Sequence, residues 1–233
     1  MKTNKNGVEL AIKGAVLIFS FLMAIINPDI LKRFFTYSIF SSIKTYHILW
    51  LLTVLILLKR FIPSLNKKIN LGKIYSKNYK EAGPDSPSKR ERLLKYKRKI
   101  DNGAIRSAVY WVLLVLTMWL WRKAQLLSDL WIFIIVIFFI FMDEFCATIW
   151  CPFQAIISNK CCNTCRINNW GYLMAFSPMI FIQSFWTYSI LMLSVLAIVQ
   201  WEYLYHKHPE RFYELYNANL MCKNCTKKCR KRS

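Results

Sequence analysis

Apolar positions along this chain fall into long runs, not into alternating or heptad patterns. The first run is Leu10–Ile26, interrupted only by Lys13. The second is Ile39–Leu58, with Lys44 and His47 in its first half and no charge from Ile48 onward. The third is Ile105–Trp121 and the fourth Ala124–Met142. The last, Trp170–Trp201, is 32 residues without one Asp, Glu, Lys or Arg. A helix rises about 1.5 Å per residue and a bilayer core is about 30 Å thick, so about 20 apolar residues make one crossing. The pattern predicts an all-α, polytopic integral membrane protein with about five apolar spans. At about 48 Å the last run exceeds one crossing, and Pro178 is the expected place for a break or kink. Leu10–Ile26 follows Lys2 and Lys5 as a signal peptide would. No small-residue cleavage site follows it, and an uncleaved first helix is expected.

Polar residues between the runs set an orientation. Lys59–Ser107 holds 15 of the 33 basic residues, with Gly83, Pro84 and Pro87 marking a flexible stretch. Basic loops stay on the cytoplasmic side. The 59–107 loop and the N-terminus are therefore expected on the cytoplasmic side of the membrane. The tail after Trp201 carries eight more basic residues and should share that side. Five full crossings would separate the N-terminus from the tail. Either the tail departs from the rule or one apolar segment is not a simple crossing. Asp143–Ser158, as a short or re-entrant piece, is the expected irregularity. The chain then divides into a helix pair (1–58), a basic cytoplasmic loop (59–107), membrane helices with a Cys-rich connector at 143–169 (108–201), and a basic Cys-rich tail (202–233).

Composition sharpens this. Thirty-three Lys and Arg against 12 Asp and Glu give a net charge of +21, while 55% of residues are apolar and 16% aromatic. The charge alone would suit a nucleic-acid binder, but the apolar runs beside it would not. The expected partner is the lipid bilayer, with no specific nucleic acid. Trp111, Trp119, Trp121, Trp131, Trp150, Trp170 and Trp201 fall near span ends, as interfacial aromatic belts do. The 59–107 loop reads as a solvated basic surface first, and as a contact for anionic lipid or a partner second.

Cysteine placement is uneven. All eight lie in the last 88 residues: Cys146 and Cys151 after the fourth run, Cys161, Cys162 and Cys165 in the connector, and Cys222, Cys225 and Cys229 in the tail. The tail reads C-x2-C-x3-C. Thiolates at this spacing meet on one centre through a tight turn, and they are the ligands zinc and iron–sulfur clusters prefer. Cys162-x2-Cys165 supplies a second close pair and makes a four-thiolate set if both groups share a side. Three readings stand: iron–sulfur ligation, a structural zinc site, and disulfides or reactive thiols. A reducing cytoplasm disfavours the last. For any single cysteine the bland alternative is a small buried apolar residue, apt for Cys146 and poor for the tail.

The segment Asp143-Glu-Phe-Cys-Ala-Thr-Ile-Trp-Cys-Pro-Phe-Gln-Ala-Ile-Ile157 resembles the membrane-bound 4Fe–4S ferredoxin-like proteins. Those carry Phe-Cys-x3-Cys-Pro-Phe-Gly-Ala-Leu at a transmembrane helix end. Phe145, Cys146, Cys151, Pro152, Phe153 and Ala155 take the matching places. The spacing here is x4, and Gln154 replaces the Gly. Residues Trp201 to Cys229 resemble the end of a group of uncharacterised bacterial membrane proteins. The first resemblance implies that Cys146 and Cys151 ligate a 4Fe–4S cluster, that the tail cysteines belong to a ferredoxin-like cluster, and that electrons pass between the cytoplasm and a membrane redox partner. Lys223, Lys227, Lys228, Arg230, Lys231 and Arg232 would then offset the cluster's negative charge, although positive-inside anchoring explains them as well.

Other polar candidates are weaker. Asp143 and Glu144 close the fourth run. Buried in a membrane, they would suggest proton or quinone chemistry, but at a span end a carboxylate usually faces water. His47 has no second span histidine with which to ligate a haem. His206 and His208 could join a zinc site with the tail cysteines, or simply face the interface. No phosphate-binding glycine loop, nucleophile elbow or zinc-protease helix occurs, so no catalytic residue is assigned.

Overall fold

A computed structural model of the chain describes residues 5–40, 43–62, 78–157 and 165–221. Among the described residues it is all-α but for one short pair of strands and an isolated bridge. Helix α1 spans Lys5–Ile26 and α2 Pro28–Thr36. Asn27 caps α2, its Oδ1 accepting from Ile30 N at 3.2 Å, and Pro28 takes the first helical turn, where no N–H is needed. Strands β1 (Ser38–Phe40) and β2 (Ile43–Lys44) pair antiparallel, with Phe40 opposite Ile43. Helix α3 (Thr45–Phe61), the long α4 (Pro87–Lys123), α5 (Asp129–Thr148) and the short α6 (Phe153–Ile157) follow. Then come α7 (Gly171–Phe176) and α8 (Phe185–Lys207). Between α7 and α8, a 3-10 turn over Ser177–Phe181 contains Pro178. The long apolar run is broken there, because proline cannot continue the hydrogen-bond ladder.

The chain forms two units. Unit 1 comprises residues 1–57, 111–150 and 171–195, and α5 is its centre. Leu130 and Ile134 on one face of α5 pack with Ala24 and Leu31 of α1 and α2. Ile132 and Val136 lie on the opposite face and join Met118, Leu127, Leu57, Phe176, Met179 and Ile190. A helix buried on opposite faces must be apolar all round, and α5 carries no charge from Leu130 to Met142. Two indoles satisfy their N–H groups inside this apolar unit. Trp50 Nε1 donates to Ser189 Oγ at 2.7 Å, and Trp111 Nε1 to Ser177 Oγ at 3.1 Å.

Unit 2 comprises residues 58–110, 151–170 and 196–233. Its α4 portion buries Ile100, Ala104 and Ser107 on one face. That helix starts at Pro87, well before the apolar run at Ile105, so residues 87–107 are helical where the basic composition suggested a loop.

Helices Gly7–Ile26, Pro87–Lys123 and Phe185–Lys207 are long and apolar enough to cross a membrane. Their apolar surface is largely uncovered: only 11% of the first is buried. Ile12, Val16, Phe19 and Ile26 of α1 are exposed, as are Val112, Leu116 and Leu120 of α4 and Met192, Leu196 and Val199 of α8.

Candidate functional site

Three of the eight cysteines fall among the described residues. Cys146 is half-buried in the last turn of α5, in unit 1. Cys151 is buried beyond that helix, and Cys165 is half-buried immediately before Arg166, both in unit 2. Cys161, Cys162, Cys222, Cys225 and Cys229 lie outside the described residues. Among the described residues, no three His, Cys, Asp or Glu side chains converge as metal ligands would. The chain flanking the cysteine groups is nevertheless closely fixed, at two places in unit 2.

The first is Arg166, whose guanidinium is only 11% exposed. Its Nη1 donates to Asp101 Oδ1 at 2.6 Å. Its Nε donates to both oxygens of Glu202 at 3.1 Å, and Nη2 donates to Glu202 Oε2. Arginine's flat fork is suited to bridging two carboxylates. Further donors complete the set: Trp170 Nε1 to Glu202 Oε1 at 2.8 Å, Tyr205 Oη to Asp101 Oδ1 at 2.9 Å, and Lys97 Nζ to Asp101 Oδ2 at 3.3 Å. The guanidinium also stacks 4.3 Å from the Tyr205 ring. Burial pulls the Arg166 pKa down, but the hydrogen bonds and charge of Glu202 outweigh it, and the net shift is upward. Arg166 thus fastens the residue after Cys165 to α4 and α8 together.

The second anchor leads to the tail cysteines. Residues 78–85 pair with 216–219. Ala82 N donates to Tyr216 O at 3.0 Å, Ala218 N to Lys80 O at 2.8 Å, and Asn219 Nδ2 to Asn78 O at 2.7 Å. Glu81 and Asn217 form an isolated antiparallel bridge. Asn217 is fully buried, its Nδ2 donating to Arg211 O at 2.9 Å. Leu220, two residues before Cys222, is 1% exposed. Tyr96 and Tyr213 stack with ring centroids 4.2 Å apart.

Tyr216 closes this joint, its Oη donating to Asp85 Oδ1 at 2.8 Å. Asp85 also accepts from Arg90 Nε at 2.6 Å. Burial first, and then the bond to Asp85, push the Tyr216 pKa up to about 12. Tyr216 therefore favours the folded chain fully below pH ~10, the ordinary tyrosine value, and that contribution is lost as pH rises through about 12. Asp85→Asn is expected to bring the Tyr216 ionisation down toward pH ~10. Phenolate absorbance, taken as a difference from Tyr216→Phe, measures it. An unchanged midpoint would show that the carboxylate has no hold on the phenol.

In unit 1, Lys13 and Glu144 meet. Lys13 Nζ lies 3.2 Å from Glu144 Oε2 and 3.0 Å from Glu9 Oε1. Glu144 is 12% exposed and accepts from Thr148 Oγ1 at 3.3 Å. The one charge in the first apolar run is thus paired with a carboxylate that closes the fourth, and α1 and α5 run antiparallel. Asp143 is exposed, but it crowds Gly171, where an added Cβ would come 2.9 Å from its Oδ1.

The histidines have local roles. His47 Nδ1 accepts from Lys44 N at 3.0 Å, and His208 Nδ1 is 3.2 Å from Glu210 Oε1. His206 Nε2 is 4.0 Å from Glu202 Oε2. Sequence reasoning passed over Arg166, Asp101 and Glu202. The one hint was an isolated arginine between a cysteine group and a long uncharged run. No protein-family profile, curated protein or solved structure matches the chain.

Proposed function

We propose that the chain is a polytopic integral membrane protein whose connector and tail cysteines together form a thiolate metal centre on the cytoplasmic side. An iron–sulfur cluster of the 4Fe–4S type is the occupant proposed, serving electron relay between the cytoplasm and a membrane partner. The exposed apolar surfaces of α1, α4 and α8 support the membrane part, since soluble monomers rarely expose contiguous apolar patches above a few hundred Å².

The observation that carries the reading is the Arg166 network. Trp170 and Arg166 both bind Glu202, so the chain leaves this level at Trp170 and is back at it by Glu202. Residues 171–201 then count as out and back, the outward limb being the broken piece around Pro178. Added to α1, α3, α4 and α5, this gives an even number of passes. The N-terminus, the basic 59–107 segment, the connector and the tail all share one side, in keeping with the basic residues they carry. The irregular segment on this reading is 171–184, not Asp143–Ser158. A shared side is the condition for Cys162-x2-Cys165 and Cys222-x2-Cys225-x3-Cys229 to meet. Thiolates fit iron–sulfur and zinc alike; the one-electron chemistry comes from the cluster when it is bound. Anaerobic purification of the whole chain, with iron, acid-labile sulfide and zinc assayed together, is the test. Iron and sulfide in near-equal amounts with broad visible absorption are expected. Zinc without sulfide would replace the relay by a stapled tail, and absence of all three would end the metal reading.

A further inference from the structure

One exposed face of α4 changes character along its length. Arg92, Lys95, Arg98 and Lys99 are exposed on it, then Asn102, then Ile105 with Arg106, then Val109 and Tyr110. These positions recur every three or four residues and so form a single stripe. Behind them Ile100, Ala104 and Ser107 are buried, which fixes the outward direction of the stripe. Ile105 is 63% exposed and Val109 53%, and the rest of α4 stays apolar through Trp121. An apolar exposed face in unbroken continuation with a basic one marks where hydrocarbon gives way to headgroups.

Distances along the helix fit that boundary. At about 1.5 Å per residue, Asn102, Lys99 and Arg98 lie about 5, 9 and 11 Å beyond Ile105. The headgroup layer is about 5–8 Å deep on each side, within reach of long Lys and Arg side chains at that height. Glu91, Leu94, Lys95, Arg98, Lys99 and Asn102 line an open groove of about 430 Å³ there. Lys95 pairs with Glu91 at 2.6 Å, both well exposed, a bond of little worth in water. Among the described residues, Arg98, Lys99 and Arg106 form no ion pair with a carboxylate. Lys95 lies about 15 Å beyond Ile105, and a guanidinium, two ammoniums and a carboxamide spread over about 11 Å along one groove suit a phosphodiester that the long side chains reach toward.

Resting on the membrane reading above, we propose that this α4 face binds the phosphate of an anionic phospholipid headgroup, through Lys95, Arg98 and Lys99 with Asn102. It would hold the emerging helix at a fixed depth and select anionic lipid for the protein's inner boundary shell.

The whole chain, reconstituted in phosphatidylcholine vesicles with a trace of spin-labelled phosphatidylglycerol or spin-labelled phosphatidylcholine, tests this. At low salt the parent should restrict phosphatidylglycerol at least about fivefold more strongly than phosphatidylcholine, the effect of about one Lys or Arg near an anionic surface. Combined Lys95→Gln, Arg98→Gln and Lys99→Gln should remove most of that preference. Lys32→Gln with Arg33→Gln, on α2, should leave it unchanged. All three α4 side chains are exposed, so the variant should unfold where the parent does; Lys99→Glu alone is the second variant and must also weaken the preference. If neither lipid is restricted by the parent, the membrane reading itself fails. Equal restriction of both lipids by the parent leaves the membrane reading standing and overturns this one, as it would if the face served an acidic protein. A preference that survives in the triple variant and in Lys99→Glu also overturns it.

Discussion

Arg166→Leu is expected to lower stability by about 2–4 kcal/mol, because it takes one shared cation from two carboxylates rather than breaking one contact. Asp101 would keep Tyr205 and its longer ion pair with Lys97, while Glu202 would keep Trp170 but lose its close counter-charge. Breaking a buried ion pair costs about 3–5 kcal/mol. The figure is set lower because Asp101 and Glu202 are 27% and 22% exposed and retain some water. For a chain of this size such a loss is an apparent Tm lower by roughly 5–15 °C, read by tryptophan emission in mild detergent. Arg166→Lys should recover only part, since an ammonium cannot bridge both carboxylates with fixed geometry. Adding Asp101→Asn and Glu202→Gln to Arg166→Leu should restore part of the loss by removing the stranded charge. If Arg166→Leu melted with the parent, the network would be a solvated surface cluster, and the argument for a shared side would lose its physical footing.

Most helices could be read from the apolar runs, since a run long enough to cross a bilayer has few other folds open to it. What the runs hid was which faces are covered. Helix α5 is apolar all round and is the centre of unit 1, yet the same string would serve a lipid-facing span equally well. The 87–107 helix went unseen because its basic residues dominate the eye. Its helical signal lay in Tyr96, Ile100, Ala104 and Ser107, on the buried face, and in Pro87 at the start. The paired strands at Ser38–Phe40 and Ile43–Lys44 are too short to show a period of two.

The candidate site was legible in part. Cysteine spacing is a local signal and singles out two close groups, of which Cys165 alone lies among the described residues. Arg166 was invisible because its partners stand 65 and 36 residues away. Lys13 and Glu144 were each visible as an oddity, a cation inside one run and a carboxylate at the end of another. Their meeting across 131 residues was not. Long-range polar pairs carry no periodicity, and a single sequence gives no means of matching them.

The tail cysteines are expected to behave as one centre. Cys222, Cys225 and Cys229 follow directly on Met221, in a stretch whose base is held by Asn217 and Leu220. A fixed base lowers the ordering cost of bringing three thiolates together, and losing any one ligand opens the shell and uncouples the metal from local folding. Cys222→Ser, Cys225→Ser and Cys229→Ser should each cut bound metal to below about a tenth of the parent's, more than the 10–100-fold affinity loss typical of outer-shell changes would give at saturating metal. Cys165→Ser should fall with them if Arg166 holds the connector pair on the same centre. Cys146→Ser, at the end of α5 in unit 1, should spare that centre if it serves another. Metal, sulfide and the visible spectrum per protein, measured on all five variants purified anaerobically, decide it. Three tail variants with graded, additive losses would mean separate weak thiols. Equal metal in the parent and in a combined Cys222, Cys225 and Cys229 to Ser variant would remove the tail from the site altogether. The connector cysteines would then need ligands from elsewhere in the chain or from a second copy.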